Sequence, residues 1–374
     1  MKNAVYSYYR TLFPKRRGQA IKHHHLSINI LITLSIFLLT LLAFSSVDAA
    51  DEEKKAADLV VDGQKINLGQ EKYQLLFKEL QDTYHFNRSE LDHLFMDVSI
   101  DRKILELMDR QYEAKPYYEY RQLFITPAVI AIGREKLLEY KDLLDKIESR
   151  LGVDREIVIA IWGVESRFGT HQGHYPVFTT LNTLFDAYPR RSAFFRKELV
   201  QFLLLCKENQ INPLDVRGSY AGAFGQTQFI PSSFREYAIS FDGNKDIDVF
   251  SSVDDILASI ANYLHRYHWT LHAPVYRDIG HELKSQQLVD VSLKGRKERV
   301  DWQTVCKTQG VTLPPPPDGT DLSIVGLEVN PEDGGGYRYV AGYKNFQAIT
   351  EWNHSNRYAM VISELAEAIK QTSH

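Results

Sequence analysis

One segment of this sequence predicts a helix that is apolar on every side. It covers residues 155–168, and its apolar members are Ile157, Val158, Ile159, Ala160, Ile161, Trp162 and Val164. A helix without a polar face has no side that suits water, so other elements have to surround it. We therefore expect a fold whose core is a packing of helices around this one.

Helical patterns extend over most of the remaining chain. They cover about 71–118, 127–150, 189–207, 254–268 and 355–370. Asp154 stands directly before the apolar helix, where an aspartate commonly caps the first turn. After His272 come short β-like runs, 288–293 among them, then four prolines and a hairpin-like run at 337–343. The expected fold class is mainly α with a small β insertion.

Length and charge limit the class of protein. The chain has 374 residues, enough for two or three packed units, and a formal net charge of -4 from 44 Lys+Arg and 48 Asp+Glu. The body of the chain contains no basic tract, so we expect no nucleic-acid partner. It also lacks an HExxH-type ligand set, which argues against a zinc enzyme.

The N-terminus has the pattern of an export signal. Arg16 and Arg17 belong to a basic flank, an apolar run follows at 28–44, and small residues allow cleavage after Ala49. The apolar run is also close to the length of a membrane span. Residues 1–49 are therefore either a signal peptide or an inner-membrane anchor, and both place the rest of the chain in the periplasm. There Cys206 and Cys306 either pair or remain two buried thiols.

Glu165 lies near the end of the apolar helix, within GVESRFG at 163–169. Apolar surroundings penalise an ionised carboxylate, and the negative end of the helix dipole acts in the same direction. A glutamate that stays protonated near neutral pH suits a general acid for a glycosidic oxygen. The alternative is a helix-terminal glutamate paired with Arg167, and this helix alone does not separate the two.

A glycine-rich segment, GSYAGAFGQTQFIPSS at 218–233, is the second feature. Its glycines would let the backbone approach a ligand, and its polar and aromatic side chains are the mixture that a sugar ring requires. These candidates are Gly218, Ser219, Tyr220, Gly222, Phe224, Gly225, Gln226 and Gln228. Pro231 suits the first turn of a following helix. The alternative is a glycine-rich packing corner.

Together these segments resemble the membrane-bound lytic murein transglycosylase B family of lysozyme-like enzymes, over about residues 124–369. The matching motifs are GVESRFG at 163–169, YPRR at 188–191, GSYAGAFGQTQFIPSSF at 218–234, ANYL at 261–264 and WNHSNRYAM at 352–360. Several long motifs in one order make the match specific.

The resemblance also implies a division into domains. A lysozyme-like catalytic core would occupy 151–270. An additional helical domain would occupy 50–150 and be completed by the C-terminal helix at 352–374. A small β-rich domain with a proline-rich linker would occupy 271–351.

The resemblance implies a role for individual residues. Glu165 would be the catalytic acid and base, and Arg190 and Arg191 would face the peptide or N-acetyl decoration of the substrate. The residues implied to line the saccharide groove are Ser219, Gln228, Tyr263, Asn353 and Tyr358. Trp352 stands where relatives usually have tyrosine, so it keeps a stacking face but has no hydroxyl group to donate.

The implied reaction cleaves the β-1,4 bond between MurNAc and GlcNAc in peptidoglycan glycan strands without water. The C6 hydroxyl of the muramic ring attacks its own anomeric carbon and leaves a 1,6-anhydro end. No motif places a second carboxylate beside Glu165, in agreement with this reaction. We expect a monomer that requires no cofactor. The alternatives are a lysozyme-type hydrolase and a non-catalytic peptidoglycan-binding protein, and the intact Glu165 motif argues against the latter.

An acidic loop, SFDGNKDIDVFSSVDD at 240–255, would hold a structural Ca²⁺, since relatives of this family carry a calcium loop here. Asp242, Asn244 and Asp246 alternate as in an EF-hand, and Asp255 or Asp254 would be the closing acid. The match to the EF-hand pattern is imperfect. The alternative is a solvated acidic turn.

Overall fold

Fifteen α-helices form most of the part of the chain described in the computed structural model, residues 55–109, 115–241, 243 and 246–371. The helices are α1 (Glu71–Asp82), α2 (Arg88–Phe95), α3 (Arg102–Met108), α4 (Tyr117–Gln122), α5 (Pro127–Glu139), α6 (Lys141–Leu151), α7 (Arg155–Ser166), α8 (Val177–Ala187), α9 (Ser192–Glu208), α10 (Pro231–Tyr237), α11 (Val253–Arg266), α12 (Gln286–Lys294), α13 (Trp302–Gln309), α14 (Lys344–Asn353) and α15 (Asn356–Lys370). The strands are β1 (Tyr175–Pro176), β2 (Arg217–Gly218), β3 (Tyr276–Gly280), β4 (Ser323–Glu328) and β5 (Tyr337–Gly342).

Helix α7 is the buried helix that the sequence predicts. Its residues 157–163 are all buried, and α15, α5 and α11 pack against it. The helix ends at Ser166 because Arg167 and Phe168 both have positive φ angles, 47° and 56°. The Phe168 ring folds back against Trp162, with 5.6 Å between the ring centroids. The apolar pattern therefore predicted the position of the core correctly.

Asp154 is the N-cap residue of α7, as predicted, but its side chain makes no capping hydrogen bond. Its carboxylate accepts a hydrogen bond from the Trp269 indole at 2.8 Å and lies 2.9 Å from the ring nitrogen Nδ1 of His272. The position of the cap was therefore predicted correctly, whereas the carboxylate bonds to these two partners from the segment after α11.

The long N-terminal helical patterns are divided into shorter helices. The pattern at 71–118 contains α1, α2, α3 and the start of α4, and the pattern at 127–150 breaks at Tyr140, where ψ is 22°. Gly152, with a φ of 65°, ends α6. Short breaks leave the spacing of the apolar residues nearly unchanged, so the periodicity predicted the buried faces but not these boundaries.

The residues after His272 contain the small β part. Strands β3, β5 and β4 form an antiparallel sheet in that order, and a second hydrophobic cluster, separate from the main core, lies between this sheet and its helices. The run at 288–293 lies inside α12, so its β-like interpretation was wrong. The Ser285 side chain caps this helix, and its buried residues Leu288 and Val291 have the spacing of one helix face.

The two cysteines lie in different clusters and are both free thiols. Cys206 on α9 is buried in the main core, whereas Cys306 on α13 packs against the second cluster. Of the two possibilities that the sequence left open, the structure has the unpaired thiols.

The chain from Lys55 onward forms one compact unit. Within the described residues no helix has both the length and the apolar character needed to cross a bilayer. The signal or anchor predicted at 1–49 lies outside the described residues.

Candidate active site

The carboxyl group of Glu165 accepts a hydrogen bond from the last helix. The Tyr358 hydroxyl on α15 donates to Glu165 Oε1 at 2.6 Å. Trp352 on α14 also lowers the pKa of this carboxyl group. Glu165 is the next-to-last residue of α7, so the end of the core helix presents it to the two C-terminal helices.

The surroundings of Glu165 bring its ionisation close to neutral pH. Burial in the helical core raises the pKa of Glu165 to about 7, while Tyr358 and Trp352 stabilise the ionised form and act in the opposite direction. The side chain still has partial access to solvent at the site. A carboxyl group with this pKa can donate a proton in one step and accept one in the next. Arg167 is exposed at the end of α7, and the groups that bond to Glu165 here are uncharged.

The glycines of the glycine-rich segment allow close contacts within the protein itself. A Cβ on Gly218 would lie 2.1 Å from the carbonyl oxygen of Ala223, and one on Gly225, at a φ of 68°, would lie 2.7 Å from Val249. The glycines at 218 and 225 thus have the packing role that the sequence left as an alternative. The prediction that Phe224 offers an apolar face to a sugar was wrong. Phe224 is fully buried and stacks on Phe250, with 5.8 Å between the ring centroids.

The polar side chains of this corner also maintain its shape. Ser219 Oγ accepts the backbone N–H groups of Ala221 and Ala223 at 3.3 and 3.1 Å. Gln228, in the left-handed region with a φ of 50°, donates from Nε2 to the carbonyl oxygens of Gln172 and Gly225 at 3.1 and 2.9 Å. The amide hydrogens of Gln228 are therefore used, and its Oε1 is the atom left for a ligand.

An aromatic cluster adjoins Glu165 through Trp352. The Trp352 ring lies 4.6 Å from the ring of Tyr263 and 5.1 Å from that of Phe229, measured between centroids. Trp352 and Tyr263 belong to the wall of a cavity of about 690 Å³. The remaining residues that line it are Lys197, Gln201, Ile230, Ser232, Ser233, Arg235, Glu236, Tyr237, Tyr267, Glu351 and His354. This cavity has the volume of a small-molecule binding pocket, and Glu165 is not among the residues that line it.

The other residues predicted to bind substrate have different positions. Asn353 is exposed at the end of α14, next to Trp352 in the chain. Arg190 and Arg191 are exposed on the turn before α9 and do not line the cavity. Arg190 lies 3.8 Å from a carboxylate oxygen of Asp109, and Arg191 lies over the ring of Phe194 at 4.3 Å.

The predicted metal loop is described only in part. Asp242 and Asn244 lie outside the described residues. Asp246 is exposed, and Asp255 is buried with its two carboxylate oxygens accepting the backbone N–H groups of Phe241 and Asp248 at 2.7 and 2.9 Å. Asp255 thus holds both sides of the loop.

Sequence analysis missed a second buried glutamate, Glu198 on α9. Its two oxygens accept hydrogen bonds from the backbone N–H and the hydroxyl of Ser232, at 2.9 and 2.8 Å, in the first turn of α10. Burial raises the pKa of Glu198 above its ordinary value. Its position between Phe195 and Phe202 on the apolar face of α9 was a signal in the sequence. Its carboxylate serves as a helix cap.

Comparisons with known proteins identify the family of this chain. Residues 69–367 match the family described as Transglycosylase SLT domain. The membrane-bound lytic murein transglycosylase B of Escherichia coli (strain K12) is 32% identical over 306 residues, which cover 79% of this chain and 82% of that protein.

Solved structures give the same result. The Escherichia coli lytic transglycosylase Slt35, in complex with calcium, is similar with a TM-score of 0.70 and 30% identity, covering 83% of this chain and 96% of that chain. SltB3 from Pseudomonas aeruginosa, in complex with NAG-anhNAM-pentapeptide, has a TM-score of 0.66 and 28% identity, covering 81% and 80%. The fold and the comparisons define a lytic transglycosylase with a lysozyme-like fold. The chain belongs to the Transglycosylase SLT domain family.

Proposed function

We propose that this protein is a peptidoglycan lytic transglycosylase that cleaves the β-1,4 bond between MurNAc and GlcNAc, with Glu165 as its one acid and base. The proposal rests on the Glu165 carboxyl group, which has a pKa of about 7 and accepts a hydrogen bond from the uncharged Tyr358 hydroxyl. Membership of the family supports the reaction class.

In this mechanism Glu165 acts twice. The protonated carboxyl group gives its proton to the O4 atom of GlcNAc as the bond from that oxygen to the muramic C1 breaks. The N-acetyl carbonyl oxygen of MurNAc stabilises the cation at C1. The Glu165 carboxylate then takes the proton of the C6 hydroxyl as O6 bonds to C1. The 1,6-anhydro ring closes without water, and Glu165 returns to its protonated form.

The uncharged partners of Glu165 favour this route over hydrolysis. Ordinary glycosidases use two carboxylates, one of which activates water or attacks the sugar. Among the described residues, the groups that lower the pKa of Glu165 are a phenol and an indole, and the buried Glu198 bonds to Ser232. The C6 hydroxyl belongs to the bound ring, and an intramolecular nucleophile has a large effective concentration. The relative crystallised with NAG-anhNAM-pentapeptide supports the anhydro product.

We propose that the glycan strand lies along the aromatic cavity beside Trp352. Tyr263 would stack on a sugar ring, and Asn353, at the exposed end of α14, would form hydrogen bonds with the polar groups of that sugar. Tyr358 would affect the substrate indirectly, through its hydrogen bond to Glu165. Gln228 Oε1 and the glycine corner held by Ser219 would contact the sugar near the cleavage point.

We propose a separate role for the two exposed arginines. Arg190 and Arg191 would meet the acidic peptide or the N-acetyl decoration outside the cavity. Their positive charges are suited to the carboxylates of a stem peptide.

The catalytic role of Glu165 can be tested with an isosteric variant. Glu165→Gln should fold and bind glycan strands but lose cleavage by about 10³-fold or more, because an amide cannot give and retake the proton. Glu156→Gln, the same change in the first turn of the same helix, is the matched control and should stay active. Substantial cleavage by a folded Glu165→Gln protein would reject Glu165 as the catalyst.

The choice between lyase and hydrolase can be tested with labelled water. Purified glycan strands are digested in heavy-oxygen water, and each new muramic end is examined by mass spectrometry. We expect unlabelled 1,6-anhydro ends. Labelled reducing ends as the main product would instead identify a lysozyme-type hydrolase, and binding without either product would identify a non-catalytic binding protein.

We also propose that the loop at 240–255 holds a structural Ca²⁺. The carboxylate and amide oxygens at Asp242, Asn244, Asp246 and Asp255 are the donors that Ca²⁺ prefers, and the calcium complex of Slt35 supports the assignment. A carboxylate offers about four lone pairs, so Asp255 can accept two N–H bonds and still bind a cation.

Calcium should therefore raise the thermal unfolding midpoint by mass action on the folded state. Asp246→Ala should remove this response, whereas Asp97→Asn, a change at an exposed aspartate elsewhere in the chain, should keep it. If the unmodified protein does not respond to calcium, the loop is an acidic turn.

We propose that the enzyme acts as a periplasmic monomer with the domain division expected from the sequence, and that residues 1–49 direct it there. The membrane-bound relative supports a location at the membrane. N-terminal sequencing of the protein recovered from cells decides between the two forms. A start at Ala50 identifies a cleaved signal, and an intact N-terminus in the membrane fraction identifies an anchor.

A further inference from the structure

We propose that Gln226 is a positioning residue for Glu165, because its side chain joins the end of the core helix α7 to the acidic loop at 240–255. The inference rests on the proposed function, since it concerns how the acid and base of that reaction is placed against the sugar. The loop then takes part in catalysis through a side chain that does not touch the substrate.

The Gln226 amide joins two segments that are distant in the sequence. Its Oε1 accepts the indole N–H of Trp162 on α7 at 2.9 Å, and its Nε2 donates to the carbonyl oxygen of Phe250 in the loop at 2.8 Å. An indole N–H can only donate and a carbonyl oxygen can only accept, so only one orientation of the amide makes both bonds. The side chain therefore spans from the catalytic helix to the loop in one fixed arrangement.

The same amide contacts the chain on both sides of Glu165. Trp162 precedes Glu165 by three positions, so the two residues are neighbours along one side of α7. Gly169 follows Glu165 by four positions, in the turn after the helix, and a Cβ on Gly169 would lie 2.3 Å from Gln226 Oε1. The backbone of Gly169 thus lies directly against the amide. A shift of Gln226 would disturb both the helix end and the turn between which Glu165 lies.

The loop holds its end of this connection in place. Asp248 Oδ1 accepts the backbone N–H of Phe250 at 2.8 Å, and the Phe250 ring stacks on Phe224, with 5.8 Å between the ring centroids. The backbone N–H of Gln226 also donates to the carbonyl oxygen of Val249 at 2.7 Å. The carbonyl oxygen of Phe250 is therefore a fixed acceptor for the Gln226 amide.

A second path connects Phe250 to the group proposed to contact the sugar. Gln172 Nε2 donates to the carbonyl oxygen of Phe250 at 3.4 Å, and the carbonyl oxygen of Gln172 accepts from Gln228 Nε2 at 3.1 Å. One glutamine side chain thus separates Phe250 from α7, and another separates it from Gln228. This arrangement sets the separation between Glu165 and Gln228 Oε1, on which the alignment of the bound sugar with the acid depends.

The first test removes the polar end of the side chain. Gln226→Met keeps nearly the same length but can neither accept from Trp162 nor donate to Phe250. We expect kcat for the cleavage of glycan strands to fall by about tenfold with little change in KM, because the acid is misplaced in the transition state. Thermal unfolding shows whether the variant is folded.

A glutamine in the β-rich part provides the matched control. Gln309 is buried, its Nε2 donates to the carbonyl oxygens of Ile279 and Glu282, both at 2.9 Å, and its Oε1 accepts the backbone N–H of Lys284 at 2.8 Å. Gln309→Met should lower the unfolding midpoint at least as much as Gln226→Met and leave kcat unchanged. If both variants lose stability and neither loses kcat, Gln226 only supports the fold and the positioning role is overturned.

A double-variant cycle tests whether Gln226 acts through Trp162. Trp162→Phe removes the indole donor and should lower kcat in the same direction as Gln226→Met. The loss in the double variant should be clearly smaller than the product of the two single losses, since both changes remove one contact. Losses that multiply would contradict the connection.

A glycine variant gives the same decision if Trp162→Phe does not fold. Gly169→Ala places a methyl group where the Gln226 amide lies, so it should displace the amide and lower kcat. Gly295→Ala is its control, because φ is 91° there and 88° at Gly169, and a Cβ on Gly295 would meet no atom within 4 Å. An unchanged kcat in both glycine variants would overturn the positioning role.

An NMR titration separates this inference from the proposed function. Carbon-13 spectra of labelled glutamate carboxyl groups, with the Glu165 signal assigned from its loss in Glu165→Gln, give the pKa of Glu165 without any cleavage. We expect Gln226→Met to raise that pKa by roughly half a unit, because the hydrogen bond from Tyr358, which favours the ionised form, is weakened as the helix end moves. Gln309→Met should leave it unchanged.

The two failures are therefore distinguishable. An unchanged pKa of Glu165 in Gln226→Met would overturn the positioning role even if the enzyme cuts another bond. A raised pKa together with no cleavage by the unmodified protein would support the positioning of Glu165 and reject only the proposed function.

Discussion

Glu165 favours the folded state at acidic pH and loses that contribution where the enzyme is proposed to work. Its pKa of about 7 in the folded protein lies above the ordinary value of 4.5. Between these two pH values the folded protein keeps a proton that the unfolded chain gives up. The contribution to stability is thus complete below about pH 4.5 and is lost as the pH rises through 7.

The Glu165→Gln variant should remove this pH dependence. An amide has no ionised form to penalise, so the variant should gain stability relative to the unmodified protein as the pH rises from 4.5 to 8. The upper limit of the gain is about 3 kcal/mol, from the difference between the two pKa values. Urea unfolding at a series of pH values measures the difference in free energy, and a difference that stays constant would contradict the pKa assigned to Glu165.

Single residues were predictable from sequence where a motif or burial determines them. The apolar helix indicated Glu165 as a perturbed acid, and the resemblance placed Tyr358 at the site, where it bonds to that acid. The effect of Trp352 on the pKa of Glu165 was missed, because the exchange of tyrosine for tryptophan suggests only a lost hydroxyl group. The position of the indole depends on the packing of three aromatic rings from distant segments.

At the scale of elements, the glycine corner positions the polar groups next to the site. Gly225 and Gly319 have nearly the same φ, 68° and 69°, but a Cβ on Gly225 would meet Val249 at 2.7 Å, whereas one on Gly319 would meet no atom within 4 Å. An alanine would therefore cause the same backbone strain at both positions. Only the alanine at position 225 would also collide with a neighbouring residue.

Alanine at the two positions should separate strain from packing. Gly319→Ala should cost about 1 kcal/mol, the strain of a left-handed non-glycine residue. Gly225→Ala should cost roughly 1–3 kcal/mol more, because Val249 has to move. It should also slow cleavage, since Gln228 donates to the carbonyl oxygen of residue 225. Urea unfolding and turnover measure the two effects, and equal unfolding midpoints would contradict the packing argument.

The type of each element was predicted more accurately than its first and last residues. Periodicity reports which face is buried, and it survives a one-residue break such as that at Tyr140. Periodicity failed for α12, because the short apolar run at 288–293 fits both a strand and a helix. The Ser285 cap and the three-residue spacing of Leu288 and Val291 together indicate the helix. For the glycines of the segment at 218–233, the sequence did not indicate whether they approach a ligand or other parts of the protein.

At the scale of the whole molecule, Glu364 on α15 connects separate parts of the chain. It accepts from Arg121 on α4 and from Arg338 on β5, both at 2.5 Å, and from the Tyr117 hydroxyl at 3.0 Å. Its side chain is only 11% exposed. Tyr358 and Glu364 belong to the same helix, α15, so the contacts of Glu364 anchor the helix that carries Tyr358.

Loss of the charge on Glu364 should destabilise the whole fold. Glu364→Gln leaves two guanidinium groups short of their partner and should cost about 2 kcal/mol of unfolding free energy. Glu119→Gln on α4, which breaks the exposed pair between Lys115 and Glu119, should cost at most about 0.5 kcal/mol. Guanidinium unfolding measures both, and similar costs would show that Glu364 is no more than a surface partner.

The donor that holds Glu165, Tyr358, lies on the last helix and follows Glu165 by 193 positions. The order of synthesis then has a consequence. A ribosome adds the glutamate long before it adds the tyrosine that orients it, so a partly made chain has the acid without its hydrogen-bond donor. An enzyme able to cut the wall of its own cell becomes competent only when translation is nearly complete. A chain that stops before Lys344 should accordingly leave no clearing in a murein-containing gel.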